Sequence, residues 1–183
     1  MKSDSYKKAC ETLIDSVEPD SFIELFAGDG QKTIRPFIEA GCDCYACEII
    51  PERREKLAAL GMRPGEVFYD YESALDDGGE FDIVSCDAPF ILENRLGCTT
   101  LPRARKIARD GLIGWLPSDI PKYMKNVGLG DEWLGPLLAD CQETFDRLPP
   151  YPIHWIEYTF ECRVVSINDP MTGVIYYGMK LDG

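Results

Sequence analysis

The sequence predicts an α/β fold: a mostly parallel sheet with helices on both faces, ending in an antiparallel hairpin. Three observations predict it. Apolar strand-like runs alternate with helix-periodic segments through the first half of the chain. The first run, Phe22-Ile23-Glu24-Leu25-Phe26, enters a Gly-x-Gly turn at Gly28-Asp29-Gly30, and a helix-like segment follows from Gln31. The next three strands each lead into an acid, at Glu48, Asp70 and Asp87.

Residues 6–17 read as a helix, because Tyr6, Ala9, Cys10, Leu13, Ile14 and Val17 recur at three- and four-residue intervals. Pro19 separates it from the first strand. Gly28 and Gly30 can take positive φ and let a ligand approach the backbone. The usual Gly-x-Gly-x-x-Gly is incomplete, with Ala27 before the first glycine and Thr33 in the place of the third, which argues against a pyrophosphate packed on the helix terminus. Further helices are expected over 31–40 and 51–60. Pro51 suits a first helical turn and Gly61 marks an end. Between them a short strand over 42–48 follows Gly41. A third strand over 66–69 ends in Asp70, and a fourth, Phe81-Asp82-Ile83-Val84-Ser85-Cys86, leads into Asp87-Ala88-Pro89-Phe90.

Residues 91–130 are broken repeatedly by glycine and proline, and only 102–110 reads as a short helix. The stretch is expected to be a substrate-binding insertion or a mobile loop. Residues 131–148 read as a helix stopped by Pro149-Pro150. The C-terminal stretch is β-rich, with strands over 154–160, 162–167 and 174–179. The turn signal Asn168-Asp169-Pro170-Met171-Thr172-Gly173 joins the last two as a hairpin. A fifth parallel strand is expected either near 112–115 or over 153–160.

A carboxylate at the end of a second strand, about twenty residues past a glycine turn, is suited to both hydroxyls of a ribose. Glu48 holds that position, and Asp70 suits an adenine amine. With these residues the chain resembles the class I S-adenosylmethionine-dependent methyltransferases over roughly residues 20–92. The resemblance implies a three-layer Rossmann-like sheet with S-adenosylmethionine as cofactor. It places the methionine part against Glu24, Phe26, Ala27, Gly28 and Gly30, the ribose on Glu48, and the adenine beside Asp70. Ile49 and Tyr71, which follow the two acids, and Asp87 complete the implied cofactor site. Asp87-Ala88-Pro89-Phe90 resembles the Asp/Asn-Pro-Pro-aromatic motif of enzymes that methylate exocyclic base amines, with Ala88 replacing the first proline. No cysteine follows Pro89, which disfavours covalent cytosine-C5 chemistry. In this reading Asp87 and the carbonyls of Ala88 or Pro89 accept the amine hydrogens, and Phe90 stacks on an extruded base.

The 183 residues, 45% hydrophobic, suit a single domain over 1–183. No apolar stretch approaches the roughly 20 residues that span a bilayer, and no signal-peptide pattern follows Met1, so a cytoplasmic protein without membrane partners is expected. Most of the eight cysteines fall in predicted elements, where free thiols pack as small apolar groups. Cys42, Cys44 and Cys47 cannot converge on one metal from a regular strand, so no metal site is assigned. His154, the only histidine, is expected to pack among aromatics rather than act as a base.

The formal charge of −13 counts against a nucleic-acid partner. The exception is 91–109, where Arg95, Arg103, Arg105, Lys106 and Arg109 face a single acid, Glu93. Directly after the acceptor motif, this segment is expected to bind substrate phosphates, with 91–110 as the contact to nucleic acid, DNA in the first instance. A solvated helix face is the plainer reading. Target specificity would come from 91–130 or from a partner subunit, a second copy of this chain included. Three classes remain open: a methyltransferase of a base amine, adenine in DNA foremost; a methyltransferase of a protein or small molecule; and a non-catalytic binding protein of the same fold.

Overall fold

A computed structural model describes residues 4–63, 66–68, 71–77, 79–86, 100–117, 162–164, 167–169 and 174–181. Helix α1 (Asp4–Val17) precedes β1 (Ser21–Glu24), α2 (Ile34–Glu39), β2 (Asp43–Cys47), α3 (Pro51–Ala59) and β3 (Val67–Phe68). Then come α4 (Tyr71–Asp77), β4 (Phe81–Cys86), α5 (Thr100–Ile107) and β5 (Ala108–Pro117), followed by β6 (Cys162–Val164), β7 (Ile167–Asp169) and β8 (Val174–Leu181). The strands form one sheet in the order β3-β2-β1-β4-β5-β8-β6, with β7 also on β8. Strands β1 to β5 are mutually parallel, and β8 is antiparallel to β5, β6 and β7.

All six residues of β4 are buried, as a strand flanked on both edges and covered on both faces requires. One apolar cluster joins Tyr6, Ala9, Cys10 and Leu13 of α1 to Ile34 and Phe37 of α2, Leu57 of α3, and Phe22, Cys44, Ala46, Ile83 and Ile113 of the strands. Phe22 and Phe37 stack with centroids 3.8 Å apart. On the other side α4 and α5 contact each other and pack on β3, β4 and β5. Right-handed crossovers account for the two faces: the winding reverses after β3, so α4 and α5 fall opposite α2 and α3.

The expected helix over 31–40 is shorter, because 31–33 form turns after Gly30. A larger correction concerns 100–117, the described part of the stretch 91–130. Residues 100–117 are neither insertion nor loop: they form α5 and β5, the longest of the described strands. The fifth strand is therefore the first of the two expected places, and Asp110, expected in a helix, lies in β5. Gly111 and Gly114 read as breakers, but each is paired on both sides, with Ile83 and Lys180 and with Cys86 and Tyr177 respectively. Ladder bonds on two edges outweigh the poor strand propensity of glycine. The expected helix over 131–148, the strand over 154–160 and His154 lie outside the described residues.

The amino ends of the strands are fastened by Asp82. Its Oδ2 accepts hydrogen bonds from the amides of Asp20 and Ser21, both at 2.8 Å, and from Ser21 Oγ at 3.0 Å. Arg109 Nη2 meets its Oδ1 at 2.8 Å. One carboxylate thus ties the starts of β1, β4 and β5 together.

The thiols of Cys10, Cys42, Cys44, Cys47 and Cys86 are buried. Burial pushes the Cys42 thiol up, with Asp20 and Asp82 adding to the effect, and burial pushes Cys44 higher still. Thiolates are the reactive form, so these groups are doubly protected. Ellman titration of the folded protein is expected to find no more than the three thiols outside this group, and all eight after denaturation. Fast reaction of four or more in the folded state would contradict this packing.

Candidate functional site

The reversal of winding between β1 and β4 opens a crevice at their carboxyl ends, the place where open α/β sheets bind ligands. Here the chain leaving β1 is held on both sides. Leu25 N donates to Ser85 O at 2.8 Å, and Ala27 N to Cys47 O at 3.0 Å. Those bonds lay 25–27 across the ends of β4 and β2. Gly28 and Gly30 then take φ of +62° and +66°, a region that side chains with a Cβ disfavour.

The two glycines serve different purposes. A Cβ on Gly28 would meet no atom of the described residues within 4 Å, so open space among them faces the backbone there. A Cβ on Gly30 would come within 2.8 Å of Leu57 Cδ2 and 2.9 Å of Leu60 Cδ1. Gly28 therefore leaves room for a ligand, whereas Gly30 lets α3 pack against the turn. Of the two glycines expected to admit a ligand, Gly28 has open space among the described residues where a Cβ would stand, whereas at Gly30 that space is taken by Leu57 and Leu60.

Glu48 follows β2 and is 7% exposed. Its Oε2 accepts a hydrogen bond from Gly28 N at 2.9 Å, and its Oε1 from Ile50 N at 2.8 Å. Arg53 Nη1 lies 3.7 Å from Oε2. A carboxylate has about four lone-pair sites, so these contacts leave capacity for further donors. Arg54 Nη1 donates to the carbonyls of Glu48 and Ile49, both at 3.1 Å, and fixes the backbone that follows. Ile49 is 70% exposed and Ile50 adjoins it. A held acid beside an exposed apolar side chain and an open glycine backbone suits a ligand with vicinal hydroxyls and a flat apolar part: a nucleoside.

Glu24 is fully buried at the end of β1, paired in register with Ser85 of β4, which is also fully buried. Phe26 is partly buried, Ala27 buried, and Asp29 exposed, where its carboxylate accepts a bond from Gln31 N at 3.2 Å as a turn residue does. The structure thus gathers Glu24, Phe26, Ala27, Gly28, Glu48 and Ile49 at the carboxyl ends of β1 and β2. Tyr71 opens α4. Asp70, the acceptor residues Asp87, Ala88, Pro89 and Phe90, and Arg95 lie outside the described residues.

Two of the other bases are engaged elsewhere. Arg103 pairs with Asp76 at 2.5 Å and with Glu72 at 4.0 Å, both on α4. Arg109 sits at the amino ends of the strands with Asp82, at the opposite end of the sheet from Gly28 and Glu48. Arg105 and Lys106 lie on α5, where Lys106 is exposed. The cause is directional: α5 carries the chain back toward the start of β5, and its later residues travel away from the crevice. Arg103 and Arg109 are thus engaged by carboxylates away from Gly28 and Glu48.

Two residues near the crevice escaped the sequence reading. Tyr6 Oη and Ser85 Oγ lie 2.7 Å apart, both fully buried. A tyrosine in an apolar helical stripe signals only core, and a serine in a buried strand signals only a small side chain. Among the described residues no group of acids, cysteines or histidines is arranged to hold a metal ion, and no helix is long and apolar enough to cross a membrane.

No family model matches the sequence, and no curated protein does. Solved structures do resemble it. An O-methyltransferase of tomaymycin synthesis from Streptomyces achromogenes, in complex with S-adenosylmethionine, superposes with a TM-score of 0.61 at 13% identity, over 100% of this chain and 82% of that one. The magnesium protoporphyrin IX methyltransferase of Synechocystis, with bound S-adenosylhomocysteine, gives 0.57 at 12% identity, over 98% and 84%. An rRNA methylase from Streptococcus thermophilus gives 0.55 at 14% identity, over 94% of each chain. This chain has the Rossmann-like fold of those methyltransferases.

Proposed function

We propose that this chain is an S-adenosylmethionine-dependent methyltransferase. The observation that carries the reading is the buried Glu48 carboxylate, bonded to Gly28 N and beside the exposed Ile49, at the crevice of a methyltransferase fold. The residues fit the cofactor: Glu48 to take the ribose hydroxyls, Ile49 to lie against the adenine, Gly28 to admit the backbone-bound part, and Glu24 to balance the ammonium. Asp70 and Tyr71 extend the adenosine side in the same reading. When bound, this cofactor supplies an activated methyl group, so the chain's task is chiefly to orient the acceptor and exclude water.

The acceptor we favour is an exocyclic amine of a nucleic-acid base, adenine in DNA foremost. Its support is the sequence Asp87-Ala88-Pro89-Phe90 directly after β4, where Asp87 would accept an amine hydrogen, Ala88 or Pro89 a second through a carbonyl, and Phe90 stack on the base. The other reading, a protein or small-molecule acceptor, is favoured by one specific observation: Arg103 and Arg109 are engaged by carboxylates, in a chain of net charge −13. Contact with nucleic acid would then rest on Arg95, Arg105 and Lys106, or on a partner subunit.

Incubation with labelled cofactor and pools of DNA, RNA, protein and small molecules, followed by nucleoside analysis, separates the two. Labelled methyladenine is expected from DNA. Asp87→Ala is expected to abolish transfer while weakening S-adenosylhomocysteine binding far less, because its main partner is the acceptor and its part in the cofactor site is a lesser one. Phe90→Ala should reduce turnover by about 10- to 100-fold, the scale of one lost base stack. Labelling confined to protein or small molecules would establish the second reading. Parent-like turnover in Asp87→Ala would remove the acceptor loop from the mechanism.

A further inference from the structure

The bond between Tyr6 and Ser85 joins two fully buried hydroxyls 79 residues apart in sequence, at 2.7 Å, with either oxygen able to donate. Burying two hydroxyls is costly unless they pair, and an apolar pair of similar shape would fill the same space without that need. The position of the bond is therefore informative. Ser85 is the register partner of Glu24 across the parallel β1–β4 ladder, and residues paired in a ladder share a face. Two residues earlier on that face, Phe22 and Ile83 belong to the cluster that packs on α1. Glu24 and Ser85 thus form the last layer of this face before the crevice, under the first turn of α1.

Ser85 is held twice. Its carbonyl accepts from Leu25 N at 2.8 Å, which ties it to the chain leaving β1. Its hydroxyl is tied to α1 through Tyr6. It also stands two residues before Asp87 in sequence, so its placement sets where the acceptor segment begins. A second contact binds the same turn of α1 to the glycine loop: Lys32 Nζ lies 2.5 Å from Asp4 Oδ1. That pair is exposed and worth little by itself. It nonetheless shows the start of α1 resting against the segment after Gly30.

We infer that Tyr6 is a positioning residue for the cofactor crevice: through Ser85 it holds the carboxyl end of β4 at the level of Glu24 and couples the amino-terminal helix to ligand binding. This rests on the cofactor reading above and adds α1 to the site. Neither residue need touch the ligand.

The test is calorimetric titration of S-adenosylhomocysteine into the parent, Tyr6→Phe, Ser85→Ala, Ser85→Thr and the double variant Tyr6→Phe/Ser85→Ala. Each is measured well below its own melting transition. Tyr6→Phe and Ser85→Ala are each expected to weaken binding by about tenfold, on the scale of one buried hydrogen bond. The double variant should be no weaker than either single one, because both remove the same contact. Ser85→Thr, which keeps the hydroxyl, should stay within about threefold of the parent. A Tyr6→Phe protein that melts earlier yet binds like the parent would overturn the inference and leave Tyr6 a packing residue. If Tyr6→Phe fails to fold, the contrast between Ser85→Ala and Ser85→Thr decides in its place. A parent that does not bind S-adenosylhomocysteine would overturn the cofactor reading itself, and the inference with it.

Discussion

Glu48→Ala is expected to weaken binding of S-adenosylmethionine by at least 30-fold, and to lower thermal stability as well. The carboxylate is buried and already organises its surroundings, with one oxygen on Gly28 N and the other on Ile50 N. Truncation leaves both amides without their partner and removes the proposed acceptor for the ribose hydroxyls. Hydrogen bonds to charged groups contribute about 1.5–3 kcal/mol each. One such contact to the ligand, together with a loosened glycine loop, gives roughly 2–4 kcal/mol, or about 30- to 1,000-fold. Glu48→Gln should be nearly as damaging, since its NH₂ must face one of two amide donors. Calorimetry with the cofactor and its demethylated product measures the effect. Full affinity in Glu48→Ala would exclude this carboxylate from the site.

Gly30→Ala is expected to destabilise the fold by about 2–4 kcal/mol. Part of the cost is conformational, because φ of +66° is disfavoured for a residue with a Cβ by about 1–2 kcal/mol. The rest is steric. The added carbon would lie 2.8 Å from Leu57 Cδ2, and Leu57 is fully buried, so it cannot withdraw without displacing the core around it. Gly28→Ala is the informative contrast. Its φ is similar, at +62°, but the new methyl meets no atom of the described residues within 4 Å. The fold should lose only the conformational part, while cofactor binding suffers because the methyl occupies the space meant for the ligand. Denaturant unfolding and cofactor titration on the two variants separate the roles. Equal loss of stability in both would show that Gly30 is held by its φ alone and not by the packing of α3.

Taken together, the two glycines and Glu48 show how a short loop serves folding and binding at once. Gly30 allows α3 to approach, and α3 follows directly from the stretch that Glu48 and Arg54 hold. Gly28 is left free of packing duties, and Glu48 fixes its amide. A change at any of the three is therefore expected to alter the others, and their effects should not add.

What the sequence determined by itself was local. The strand Phe81–Cys86 was legible to the residue, because a short run rich in apolar and β-branched residues, bounded by the Gly79 region and Asp87, is too short for a typical helix and suits a buried strand. The glycine turn and the acid after the second strand were legible because positive φ and a carboxylate at a strand end are properties of single residues. The order of strands and helices, and with it the fold class, followed from period and punctuation. Tertiary structure alone decided the rest. Gly111 and Gly114 belong to a strand only because β4 and β8 supply partners on both edges. Arg103 and Arg109 are spent on Asp76 and Asp82, and Arg109 lies at the far end of the sheet, because α5 reverses the chain. Gly28 and Gly30 carry the same conformational signal, and only the approach of Leu57 and Leu60 tells them apart. Tyr6 and Ser85 gain their meaning from each other across 79 residues. Propensity is written in neighbours along the chain, whereas pairing, charge partnership and steric contact arise between residues that only folding brings together.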